Sequence, residues 1–93
     1  MSDSLVLDIG GDIGALVIHT GPELDHAEIE LSPVGSDHQR FHNQVHPRHL
    51  PDGVRHNAVF PRVRAGEYTI WRDHSTVHGT VHIQGGHVAE YTW

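Results

Sequence analysis

Apolar residues in this chain recur at every second position, in short runs broken by Gly, Pro or Asp at intervals of about ten residues. A period of two puts one face of an extended strand on a core and the other in water, whereas a helix needs a period of 3.6. No stretch carries a convincing helical pattern. Ten Gly and five Pro in 93 residues supply the turns, and 37% hydrophobic residues supply a core. A chain of this length builds one modest core, so residues 1–93 are expected to form a single domain without repeats or linkers. The fold class expected is an all-β sandwich of seven or eight strands.

Eight runs read as strands. Leu5 to Ile9 is the first, stopped by Gly10-Gly11-Asp12, and Ala15 to His19 the second, stopped by Thr20-Gly21-Pro22. Ala27 to Leu31 alternates with Ala27, Ile29 and Leu31 inward. Arg40 to His46 follows, with Phe41, Asn43 and Val45 on one face and His42, Gln44 and His46 on the other. Leu50-Pro51-Asp52-Gly53 is a strong turn signal, so Val54 to Phe60 should return as a hairpin with Val54, Ala58 and Phe60 inward. Glu67 to Trp71 and Val77 to Ile83 come next, the latter with His78, Thr80 and His82 outward. Gln84-Gly85-Gly86 is expected to close a hairpin onto the last strand, His87 to Trp93.

The segment Phe60-Pro61-Arg62-Val63-Arg64-Ala65-Gly66-Glu67-Tyr68-Thr69-Ile70 resembles the small-Gly-x-Tyr-x-apolar signature of prealbumin-like sandwiches, which include transthyretin-like, carboxypeptidase-regulatory-like and Cna-B-type domains. In such a pattern Gly admits a tight entry into a strand, and the Tyr ring packs on the core with its hydroxyl near the sheet end. The resemblance implies architecture, an all-β prealbumin-like or immunoglobulin-like sandwich of seven or eight strands, and an accessory role in binding or assembly. Two activities of similar proteins are not carried over. A Lys–Asn isopeptide crosslink needs a Lys, of which the chain has none, and the C-terminal Tyr-Arg-Gly-Ser of the transthyretin-related hydrolase is replaced here by Glu90-Tyr91-Thr92-Trp93.

Eleven histidines are the main functional signal. Protonating all of them would take the net charge from −6 to +5, near the ordinary imidazole pKa of about 6.5. The acidic balance and six scattered Arg argue against a nucleic-acid partner. With no Cys, thiol catalysis, disulfides and Cys-ligated metal are excluded. No apolar run reaches the roughly 18 residues of a membrane span, and Asp3 stands where a secretory signal would carry Lys or Arg, so the expected setting is cytoplasmic with no membrane partner. Ser32, Ser36 and Ser75 lack a nucleophile-elbow context, and Ile9 to Gly14 reads as a β-turn rather than a phosphate loop. The chain is therefore read as non-catalytic.

Neutral imidazole ligates Zn, Cu and Ni, and three or four donors must converge about 2 Å from the ion. Along one strand, residues four apart are separated by roughly 13 Å, so His42 with His46, or His78 with His82, cannot chelate alone. Across the 50–53 hairpin, His46 and His49 would lie almost opposite His56. These three are the expected ligands of a divalent transition metal, Zn, Cu or Ni, with His42 as a fourth. A one-residue register slip would put His46 and His56 on opposite faces. The alternative is a structural or protein-interaction module, a pH-sensitive homodimer for example, without a metal site; it would lose association or stability between about pH 7 and 5.5. His74, His78 and His82 beside Asp73 offer a lesser site, and Trp71 and Trp93 a carbohydrate or partner platform, with at least one of them in the core.

Overall fold

The computed structural model describes residues 9–93. Residues 5–8 of the first expected strand lie outside the described residues. The elements are β1 (Ile13–Thr20), a single 3₁₀ turn at Pro22–Leu24, β2 (Glu28–Pro33), β3 (Phe41–Gln44), β4 (His46–Leu50), β5 (Gly53–Arg64), β6 (Gly66–Trp71), β7 (Val77–Ile83) and β8 (Val88–Thr92). They form two four-stranded sheets, ordered β4-β5-β1-β8 and β3-β2-β6-β7. The smallest dimension, 16 Å between Cα extremes, fits two sheets packed about 10 Å apart. The described residues form an all-β, eight-stranded sandwich.

Alternation decides which side of each sheet faces in. On the first sheet Leu16 lies opposite Phe60 and beside Ala89, and Ile18 opposite Ala58 and beside Tyr91. On the second, Leu31 lies opposite Ile70, and Tyr68 opposite Val81. Leu16, Ile18, Leu31, Ala58, Phe60, Tyr68 and Ile70, with Ile29, Val45, Val63 and Ile83, form one buried cluster, and the half-buried Val81, Ala89 and Tyr91 pack against it. The Gly-x-Tyr segment behaves as its residue types require. Gly66 takes a positive φ of 151° at the entry to β6, and Tyr68 Oη donates to the Arg64 carbonyl at 2.7 Å. Burial pushes the Tyr68 phenol pKa up, against the pull of Arg64.

Four expectations need correction. Val54 does not face in: beside the 51–52 turn it is 50% exposed. The expected strand Arg40 to His46 is two strands in different sheets, split at Val45. There the backbone breaks phase to bond His26 and Ala27, at 2.9 and 2.8 Å, and the fully buried valine plugs the core. The Gln84 to Gly86 turn does not close a hairpin: β8 crosses to the other sheet and pairs parallel with β1. His78 does not face out. It is the extra residue of a bulge where Ile70 opposes Gly79 but Trp71 opposes Val77, and bulges re-aim side chains.

The two tryptophans form no exposed platform. Trp71 is buried, donates from Nε1 to Ser32 Oγ at 2.9 Å, and lies under the Arg40 guanidinium, 3.6 Å from the ring centroid. Arg40 also donates to Glu30 Oε1 at 3.0 Å and to the His74 carbonyl at 2.7 Å, tying two loops over the ring. Replacing Arg40 with alanine should cost about 1–2 kcal/mol of stability and shift tryptophan emission to the red as Trp71 becomes wet. Unshifted emission would show that other groups cover the ring.

Candidate functional site

The four histidines singled out from sequence do not meet. The β4–β5 register pairs His46 with Asn57, Pro47 with His56 and His49 with Val54. His46 therefore points to the opposite face from His49 and His56. This is the one-residue slip that undoes the expected cluster, and it follows from a two-residue turn, Pro51-Asp52, between paired Leu50 and Gly53. His49 and His56 share a face only as diagonal neighbours, about 7–8 Å apart. His42 belongs to the other sheet, opposite Glu30, with its Nε2 3.6 Å from Glu28.

A carboxylate with an imidazole on either side is found where the chain leaves β1 for the second sheet. Gly21 and Pro22 start the 3₁₀ turn, and its last carbonyls are taken up by Asp25 N at 3.1 Å and Ala27 N at 2.9 Å. Between these, His26 adopts φ 64°, the only positive φ among the described non-glycine residues. Histidine tolerates this left-handed conformation better than most residues, and held backbone strain concentrates at functional positions. The sharp reversal sets Asp25 between two imidazoles. Asp25 Oδ2 is 3.1 Å from His26 Nδ1, and Oδ1 is 3.7 Å from His56 Nε2.

His56 projects from β5, opposite Thr20 of β1, with a side chain 12% exposed. Strands on both sides fix its backbone, whereas Asp25 and His26 lie open on the loop. The His46 ring, on the other face of the sheet, meets His26 edge-on, centroids 6.0 Å apart. Beyond His56 a cleft of about 420 Å³ opens between Thr20, Val54 and Arg55, and His19 stands there with its Nε2 2.7 Å from Glu90. Among the described residues, no three His, Asp or Glu side chains already surround a common point as metal ligands do.

Asp25 and His26 escaped the sequence reading because a histidine at a strand end is ordinary and nothing in local spacing joins residue 25 to residue 56. Elsewhere single imidazoles pair with single carboxylates, as in His82 with Glu67 at 2.7 Å and His74 with Glu30 at 3.7 Å. No helix among the described residues is long and apolar enough to cross a membrane. Comparison with protein-family models, curated proteins and solved structures finds no match for this chain.

Proposed function

We propose that this is a non-catalytic protein that binds one divalent transition metal ion at the corner formed by Asp25, His26 and His56, with water completing the shell. The observation that carries the reading is the Asp25 carboxylate, flanked at 3.1 and 3.7 Å by nitrogens of two imidazoles. Ligands about 2.0–2.1 Å from a tetrahedral ion stand roughly 3.3 Å from one another, between those two separations. Two imidazoles and a carboxylate suit Zn, Cu or Ni, whereas Ca and Mg prefer all-oxygen shells. Asp25 and His26 must turn toward the ion while His56 stays fixed. That ordering costs affinity, so the expected constant is micromolar rather than nanomolar.

Calorimetric titration of the untagged chain with Zn²⁺, Ni²⁺ and Cu²⁺ at pH 7.5 tests this. One ion per chain is expected, bound at micromolar Kd or tighter, with binding weakening in mild acid as protons compete for the imidazoles. Weak, unsaturable uptake at many sites would defeat it.

One feature favours a second reading, an interaction module without metal. The β4–β5 hairpin carries seven consecutive exposed residues, 49–55, with Leu50 45% and Val54 50% exposed. A sedimentation mass that rises with concentration and ignores both metal and chelator would move the assignment there.

A further inference from the structure

The two sheets meet along one side of the sandwich at β7 and β8, each an edge strand with no backbone ladder to the other. The bulge turns His78 into this seam, where its ring stacks on Trp93 with centroids 3.8 Å apart and planes 19° apart. Its Nδ1 lies 2.8 Å from Tyr91 Oη. The next residue, Gly79, has no Cβ, and one placed there would collide with the Tyr91 hydroxyl. A bulge, a glycine, a stacked indole and a phenol thus all converge on one imidazole. Trp93 in turn anchors the end of β8 to β1 by donating its backbone N–H to the His19 carbonyl at 2.8 Å.

We propose that His78 is an acid-sensitive latch: neutral, it holds β8 against β7, and protonated, it loosens that seam while the rest of the sandwich stays folded. Three observations make the imidazolium unwelcome. The ring is partly buried against Trp93 and Tyr91; Arg72, from the turn after β6, adds a positive charge; and Tyr91, the titratable group facing it from β8, offers no negative charge at neutral pH. On β1 the nearest ionisable side chain, His19, is engaged with Glu90. Burial first, and Arg72 second, hold the His78 pKa below the ordinary imidazole value.

Because the folded-state value lies below the unfolded one, the seam is fully stable above the unfolded value near 6.5. It weakens as pH falls through that value toward the folded one.

The test is NMR titration of the full chain between pH 8 and 4.5, following the imidazole resonances and the backbone amides together. The His78 ring is expected to titrate below the usual imidazole range. Amides of 88–93 should shift and broaden at the same midpoint, while those of 13–18 and 58–63 hold. In His78→Phe, which keeps a ring to stack but cannot titrate, the 88–93 amides should lose that pH dependence. Amides of 88–93 that stay flat through the wild-type His78 titration would overturn the latch, and so would an unchanged midpoint in His78→Phe. The wild-type titration decides the matter even if that variant fails to fold.

Discussion

Replacing Gly14 with alanine should lower the free energy of unfolding by about 3 kcal/mol, at the upper end for an overpacked site. For a domain of this size that is a fall in Tm of roughly 12–24 °C. The reason lies in the crossover into β8. To pair parallel with β1 from Ala15 and Val88 onward, the chain at residues 84–87 must pass directly over Gly14. Ala15 N and Gly86 N bond the His87 and Ile13 carbonyls at 3.0 and 2.9 Å and pin that passage down. A Cβ on Gly14 would stand 2.5 Å from the Gln84 carbonyl oxygen and 2.9 Å from that of His87, and neither can swing away as a side chain would. Val34→Ala, at a residue 55% exposed, should stay within about 0.5 kcal/mol. Equal denaturation midpoints for Gly14→Ala and wild type would mean that the crossover is not packed on β1.

That crossover also marks where sequence reasoning ran out. Period-two alternation located β1, β2, β6 and β7 closely, although bulges interrupt the register of β1 near Ala15 and of β7 at His78. It says nothing about which strand pairs with which, so the glycines after Ile83 read equally well as a hairpin turn or as a passage between sheets. Val45 was illegible for a related reason. Phe41, Asn43 and Val45 continue one alternation, and only backbone bonds to the loop at His26 and Ala27 show that the strand changes sheet there. The turn at Pro51-Asp52 was legible, but its register was not, and one residue of register separated His46 from His56. Asp25 and His26 join His56 through a tertiary contact, which no local pattern announces.

In the metal titration, His56→Ala should weaken binding at least tenfold, about 1.4 kcal/mol, and Asp25→Asn should do the same by removing the charged donor. His56 matters most because it is the donor held in place. Its strand is paired on both sides, while Asp25 and His26 must be ordered by the ion itself. His26→Ala is expected to weaken the site, but its reading is mixed, since alanine at φ 64° also strains the loop. His26→Gly relieves that strain and isolates the loss of the imidazole. His49→Ala and His42→Ala are the informative controls. Both are exposed imidazoles away from Asp25, and both should bind as wild type does, provided circular dichroism shows the same sandwich. The reverse pattern, with His49 and His46 essential and Asp25 dispensable, would return the site to the β4–β5 hairpin and require a pairing shifted by one residue in solution.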